Sequence, residues 1–376
     1  MKILVLMKRF SSNKDQIAEN FGREVRLFSE LQKKGHIVTL LCTDHVRKEK
    51  ITTTLNGMKV EVYPFGILDA FRFFSVAKKL AKQNDTIAGT SHPLHGLIAV
   101  LAAMGKPVIY DVRDNYETYD FTNIPMFKRG IIPKFVNNHI IRKSSLITCA
   151  SPALAEEAAK KTKAAVAVIT NGIDLKLYRP IDRNKCREML KMPMNGKIIT
   201  YAGGIRGIGI DVLVKAFNKL EEKDAKLMLI GDEIKSKYAY TAATSDEKII
   251  VVGSMPYEKL LYYLNASDVL VVAYESNEFT KVMYAPYKLI DYMALNKPIV
   301  CTDVGEMRKM LGDDRLICRP HDTEDMAKKI AAALKIKRVE HRKKLSRFTW
   351  QKLGEKLDNA IKAMFKNTAA EALKGE

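Results

Sequence analysis

The chain has 376 residues, 47% of them apolar, and a formal net charge of +20 from 63 Lys and Arg against 43 Asp and Glu. That length exceeds one ordinary domain and supports two cores of about 150–200 residues each. It excludes a small stapled scaffold, and no apolar run approaches the ~20 residues that span a bilayer.

The charge excess calls for an anionic partner: nucleic acid, an acidic membrane surface or phosphorylated substrates. Zinc-finger spacing, basic-zipper heptads and aromatic-glycine RNA-binding strands are all missing, so no motif supports nucleic acid. Five scattered cysteines, Cys42, Cys149, Cys186, Cys301 and Cys318, show neither metal spacing nor a paired framework. They suit a reducing cytoplasm. The opening "MKILVLMKRF" reads as a strand and lacks a signal-peptide cleavage region.

In chain order, Lys2–Met7 ("KILVLM") has the composition of a buried parallel strand. A polar loop follows, then a helix from about Ile17 that ends at Lys33-Lys34-Gly35. "IVTLLC" is the second strand, and strand–helix–strand argues for a right-handed parallel unit. "KVEVYPF" is a further strand, followed by a helix from about Phe71 to Lys82 and an apolar helix over Leu97–Met104. Lys106–Asp114 ("KPVIYDVRD") is a strand running straight into charge. Chemistry gathers at the carboxyl ends of strands in open parallel sheets, which makes Arg113 and Asp114 candidates. His92 and His95 also follow a strand, in either structural or catalytic roles. From Met126 to Lys143, basic residues interleave with Ile, Phe and Val. Two readings stand: a helix packed on the sheet, or a basic and apolar surface facing a membrane.

Ser151–Pro152 caps another helix, and Asn171–Gly172 marks a turn. The boundary is placed near Pro180, giving a first domain over 1–180, a second over 181–345, and a closing helix and tail over 346–376. The second domain restarts with "KIITYAGGIRGIGIDVLVKAF", a strand, a glycine-rich turn and a helix from about Ile210. Gly203 and Gly204 let backbone approach an anion, and the helix N-terminus points at it. "YAPYKLIDYMALNKPIVCTDV" (Tyr284–Val304) reads as a turn, a helix over Tyr287–Leu295 with Pro286 at its first position, and a buried strand. Lys288 and Asp291 lie three apart on one face, which is either a solvated helix face or one where the first meets a phosphate and the second a ribose hydroxyl.

This last stretch resembles the nucleotide-sugar signature of GT-B glycosyltransferases, especially the retaining enzymes of family 4. "PYKLIDYMALNKPIV" follows the family's "Pro-x-Lys-Leu-x-Glu-Tyr-Met-Ala-x-x-Lys-Pro-Val-Val", with Asp291 in place of the ribose-binding Glu. The family's other Glu, eight residues earlier, falls on Met283. "Asn-Gly-Ile-Asp-x-x-x-Tyr-x-Pro" is similar to the segment joining the family's two domains, and "Gly-His-x-Val" and "Ala-Ser-Asp-Val-Leu-Val" fall in the family's order.

The resemblance implies two Rossmann-like parallel-sheet domains facing a cleft, with a C-terminal helix crossing back to the first domain. It implies a hexosyltransferase that moves a sugar from a UDP- or GDP-sugar to a glycan or lipid-linked acceptor, with retention and no metal. No cofactor is expected beyond the donor itself. Gly22 falls near the donor phosphates. The Arg and Lys that grip the diphosphate fall on Gly204 and Ile208, so Arg206 is expected to supply the charge. The resemblance puts Arg113 and Asp114 on the acceptor side; His92, after a strand, is a further catalytic candidate, and Glu278, on the loop before the signature, a further candidate donor contact. The expected location is cytoplasmic, peripheral on the inner membrane face. Two alternatives stay open: a degenerate GT-B subunit assisting a partner, and a GT-B nucleotide-sugar epimerase. A dinucleotide-dependent dehydrogenase lacks its glycine fingerprint after the first strand.

Overall fold

The computed structural model describes every residue except 12–13, 67–68, 91, 117–130, 206, 232–236 and 373–376. The chain divides into two compact units, Met1–Gly172 with Trp350–Glu376, and Ile173–Thr349.

In unit 1, β1 (Lys2–Lys8) is followed by a small hairpin of β2 (Phe10–Ser11) and β3 (Lys14–Asp15) and by α1 (Arg23–Lys33). Next come β4 (Ile37–Asp44), β5 (Ile51–Leu55), β6 (Met58–Pro64), α2 (Ala70–Lys82), β7 (Thr86–Gly89), α3 (Pro93–Ala102) and β8 (Val108–Val112). α4 (Ile131–Lys143), β9 (Leu146–Cys149), α5 (Pro152–Ala159) and β10 (Ala165–Val168) complete this part. The eight strands run in the order β10-β9-β8-β7-β1-β4-β6-β5. All pairs are parallel except β5–β6, an antiparallel edge closed by Asn56–Gly57. Both turn residues have positive φ, as the right-handed twist of a two-residue hairpin demands.

Right-handed crossovers put α1 on one face and α2 to α5 on the other. Leu4 and Leu6 of β1 pack with Phe73, Ala77, Ile98 and Ala99 of α2 and α3. Each such fully buried aliphatic side chain contributes about 1.5–3 kcal/mol.

α1 starts at Arg23 rather than near Ile17. The Asp15 carboxylate accepts the N–H groups of Ile17 and Ala18 and winds residues 16–20 into turns. α3 begins four residues earlier than its apolar run, because His92 caps it and Pro93 opens it. Pro286, expected inside its helix, is the residue before it.

In unit 2, α6 (Arg183–Met189) leads to β11 (Lys197–Ala202), α7 (Ile208–Phe217), β12 (Ala225–Ile230), α8 (Lys237–Ser245) and β13 (Ile249–Val252). α9 (Tyr257–Ala266), β14 (Val269–Val272), α10 (Tyr287–Ala294), β15 (Ile299–Thr302), α11 (Met307–Leu311), β16 (Ile317–Cys318) and α12 (Thr323–Leu334) follow. The six strands are parallel, in the order β13-β12-β11-β14-β15-β16. "VLVV" and "IVCT" are wholly buried, as strands covered on both faces must be.

The last helix, α13 (Trp350–Ala372), returns to unit 1 and packs on α1. His36 Nε2 and Asp358 lie 3.0 Å apart there. Among the described residues no helix is long and apolar enough to cross a membrane.

Candidate functional site

Strand order reverses in unit 2 between β11 and β14, since crossovers leave β11 and β14 in opposite directions. Ligands of open parallel sheets bind beyond the carboxyl ends at such a reversal. Here β11 ends in Tyr201–Ala202 and runs into Gly203–Gly204, while β14 runs into Ala273–Tyr274. α10 brings Lys288 between them. Its Nζ lies 3.7 Å from the centroid of the Tyr201 ring and 5.2 Å from that of Tyr274, both cation–π distances.

Gly203 has φ 142°, and a Cβ there would stand 2.8 Å from Lys288 Nζ. The backbone requires the glycine, and a side chain there would displace the end of the lysine. Burial lowers Lys288 to about 7, and no carboxylate among the described residues pairs with it. The aromatic walls are themselves fixed. Tyr201 donates its hydroxyl to the Gly204 carbonyl at 3.0 Å, and Ala202 donates its N–H to the Tyr292 hydroxyl at 2.8 Å. Tyr274 donates its N–H to Thr302 Oγ1 at 3.0 Å. α7 starts directly after the loop with Gly207 (φ 81°) as its cap, so its free N–H groups belong to the same edge of the sheet.

Asp291 sits one turn along α10 and is 9% exposed. Burial pushes its carboxyl well above the usual range, against the pull of a hydrogen bond donated by Tyr178. Tyr178 comes from the "Asn-Gly-Ile-Asp" segment, where Asp174 accepts the N–H groups of Lys176 and Leu177. The Arg342 guanidinium donates to the carbonyls of Leu175, Tyr178 and Ala294, tying that segment to the end of α10. Lys288, Asp291, Gly203 and Gly204 thus gather at one edge of unit 2. Glu278 is exposed on the preceding loop and pairs with Lys281. Met283 uses its carbonyl to accept the Glu306 N–H at 2.8 Å. Arg206 lies outside the described residues.

In unit 1 the order reverses between β1 and β7. Gly22 (φ 94°) caps α1, and a Cβ there would meet Gln16 Oε1 at 2.0 Å. Arg23 is fully buried and grips Asp111 with two bonds of 3.0 and 2.8 Å. Thr148 also donates to Asp111 at 2.6 Å. Burial alone would raise the Asp111 carboxyl, but Arg23 and Thr148 hold it below the ordinary range. Arg113 donates to Glu24 at 2.5 Å. Burial raises the adjacent Asp114 carboxyl, and the Arg113 charge opposes that. His92 caps α3, its Nδ1 accepting the Leu94 N–H at 3.1 Å. Burial and then the Lys8 and His45 charges lower it to about 3.

Sequence reasoning passed over Tyr178, Tyr201, Tyr274 and Tyr292, which build the Lys288–Asp291 edge. For Tyr201 and Tyr274 the signal is a tyrosine at the carboxyl end of a strand; Tyr178 and Tyr292, in a loop and within α10, carry no such local signal. It also passed over Arg23 and Asp111, which are 88 residues apart.

The family model described as Glycosyltransferase Family 4 matches residues 25–177, and the one described as Glycosyl transferases group 1 matches residues 196–335. Comparison with curated proteins gives no match. Among solved structures, a sucrose-phosphate synthase from Thermosynechococcus elongatus is 16% identical at TM-score 0.75, covering 98% of this chain and all of that one. A glycosyltransferase from Rickettsia africae is 17% identical at TM-score 0.73, over 97% and 99% of the two chains. The Anabaena protein HepE, solved in complex with UDP, is 15% identical at TM-score 0.70, over 96% and 100%. At these identities the likeness establishes the fold, which is GT-B.

Proposed function

Because the chain belongs to the group 1, family 4 glycosyltransferases, we propose that it binds a nucleotide-sugar donor, UDP-linked by preference, on unit 2 and transfers the sugar with retention and without a metal. The observation that carries this reading is Lys288, a cation without a carboxylate, held between two tyrosines beside Gly203 where the strand order reverses. A solved neighbour of the same fold carries UDP-glucose. The anomeric carbon–oxygen bond to the diphosphate breaks, the acceptor oxygen takes its place, and the acceptor proton passes to the departing phosphate oxygen. Negative charge grows on that diphosphate. Lys288, the Gly204 N–H, the α7 N-terminus and Arg206 are assigned to it, whereas the Gly203 N–H is already given to the Ile230 carbonyl at 2.8 Å. Asp291 is assigned to the ribose, and Gly22 and Glu278 remain donor-contact proposals. Arg113, Asp114 and His92 are assigned to the acceptor.

The test is a thermal-shift and turnover screen with UDP, GDP and their sugars, repeated with Asp291→Ala. A shift with UDP that the variant loses, together with turnover of the UDP-sugar, supports the reading. Binding without turnover on any acceptor favours the subunit that assists a partner transferase. No shift with any nucleotide removes the donor assignment.

The proposed acceptor is a glycan or a lipid-linked molecule, with the protein resting on the inner membrane face. α2, α3 and α4 are neighbours in one layer and contain no acidic residue. α2 presents Arg72, Lys78, Lys79 and Lys82, and α4 presents Lys134, Arg142 and Lys143. Between them α3 carries Leu97 and Leu101 along one stripe, and Phe71 and Phe135 are 85% and 71% exposed. The basic stretch expected over 126–143 is therefore the smaller part of this face, and its residues up to 130 lie outside the described ones. Each basic residue at an anionic surface is worth about 1 kcal/mol. Flotation with anionic vesicles at low salt, lost on reversing Lys78, Lys79 and Lys82 to Glu, is the expected result.

A further inference from the structure

The sheet of unit 1 ends on one side in β5, and that edge is open. At the other end β10 is packed by α5 and α13. In β5 the three central residues, Thr52, Thr53 and Thr54, are all exposed, and so is the approach to the strand from His45 to Lys50. An open strand edge is a template for another strand, and folded proteins ordinarily blunt it with a charge, a proline, a bulge or a covering element. Residues 51–55 have none of these. They are uncharged and contain no proline, and their register with β6 runs from Ile51↔Val62 to Leu55↔Met58 without a slip. Ile51 and the three threonines are β-branched and favour an extended chain.

The hairpin fixes which backbone groups face outward. A two-residue turn closes on a pair that exchanges both of its hydrogen bonds, here Leu55 with Met58. Bonded pairs alternate along an antiparallel ladder. Thr53 and Ile51 therefore also bond to β6, while Thr52 and Thr54 turn their N–H and C=O groups to the open side. Side chains alternate as well. Ile51, Thr53 and Leu55 share the face of Val62, Val60 and Met58. Those three β6 residues are buried, whereas Ile51 and Leu55, at the rim of the same face, are only half-buried.

This edge is complementary to itself. An antiparallel copy of β5 with Thr53 on the twofold axis pairs all five residues, 51 with 55 and 52 with 54. The outward groups of Thr52 and Thr54 then bond to those of Thr54 and Thr52 in the second copy. Ile51 lies beside the second copy's Leu55, once on each side of the axis, and the apolar face continues across the seam. Lys50 falls opposite the second copy's Asn56, so no like charges meet there. We propose that the β5 edge is an interface between two copies of this chain, joined strand to strand into one continuous sheet with Thr53 on the axis. The seam is short, so the dimer is a weak, reversible one. This inference does not depend on the transferase reading.

The test is sedimentation velocity of the full chain over a rising concentration series. The wild type is expected to pass reversibly from monomer to dimer, more readily as salt screens the +20 charge of each copy. Thr53→Lys and Thr53→Glu each set like charges face to face on the axis and are expected to weaken association about tenfold. A 1:1 mixture of the two variants should restore it, since Lys then meets Glu. Unchanged circular dichroism and melting show that the variants fold. Independently, Thr53→Cys should cross-link to itself under diamide, because an unbonded antiparallel pair brings its Cα atoms to about 4.5 Å, within disulfide reach. The five native cysteines are buried and do not compete. Thr52→Cys faces residue 54 instead and should cross-link far less. Association untouched by Thr53→Lys, no recovery in the mixture, or stronger cross-linking through residue 52 would each overturn the proposal. So would a wild type that stays monomeric throughout, which would leave the edge to a strand from another protein.

Discussion

On the proposed donor assignment, Lys288 makes UDP binding proton-linked. Its ammonium is lowered to about 7 by burial, so at pH 7 about half of the free protein carries the charge. A bound diphosphate restores the charged form and moves its pKa back towards the ordinary ~10.4. Above pH 7 the diphosphate is fully ionised, and the lysine alone then sets the slope. The dissociation constant for UDP rises as the charged fraction falls, roughly fivefold from pH 7 to 8 and roughly fiftyfold from pH 7 to 9. The second figure corresponds to about 2.3 kcal/mol. Calorimetry at pH 8 in buffers of different ionisation enthalpy should show uptake of about 0.9 proton per UDP. Lys288→Arg keeps a charge that does not titrate, and its affinity should be flat over the same range. Lys288→Met should be flat and weak, since a charge pair near 4 Å at a half-buried site is worth about 4 kcal/mol before desolvation. A wild-type affinity that changes less than about threefold from pH 7 to 9 would refute the reasoning, as would an Arg variant with the wild-type slope.

Two more outcomes follow from the same geometry. Asp111→Ala leaves the Arg23 guanidinium buried and unpaired, and should destabilise unit 1 by about 3–5 kcal/mol in urea titration. The Asp111 carboxyl is held low in the folded state. Its contribution is therefore complete above the ordinary carboxylate range and lost as pH falls through the lowered folded value, so the variant should show a shallower acid limb. Gly203→Ala forces a side chain into φ 142° and against Lys288 Nζ, a strain of about 1–3 kcal/mol. It should lower UDP affinity at least tenfold, and an unchanged thermal shift with UDP would count against Gly203 as part of the donor edge.

Much of this was legible because it is local. Residues 3–7, "VLVV" and residues 299–301 are apolar at every position, which only a strand covered on both faces tolerates. Lys288 and Asp291 stand three apart on a short helix, and that spacing fixes their shared face. The antiparallel edge strand β5 was missed although Asn56–Gly57 announces its turn. "ITTTL" has three exposed threonines and none of the apolar signature of its neighbours. The start of α1 was misplaced because a carboxylate at Asp15 competes for backbone N–H groups, and that competition outweighs helical periodicity there. Arg23 with Asp111, Glu24 with Arg113, and Asp291 with Tyr178 were illegible for one reason. Each pair is far apart in sequence, and only the crossing order of the strands brings its members together.

The return of α13 to unit 1 has a consequence for the ribosome. Leu353, Leu357, Ile361 and Met364 are buried on this helix. Gly354 runs so close to α1 that a Cβ there would touch Glu30. The first unit therefore waits for its last helix while the roughly 180 residues of unit 2 are made. At about 5–20 residues per second this takes roughly 10–35 s. Through that interval the nascent chain shows the uncovered side of α1 to solvent, long enough for a chaperone to bind. A chain released before Trp350 would keep that surface exposed and would be cleared or aggregate.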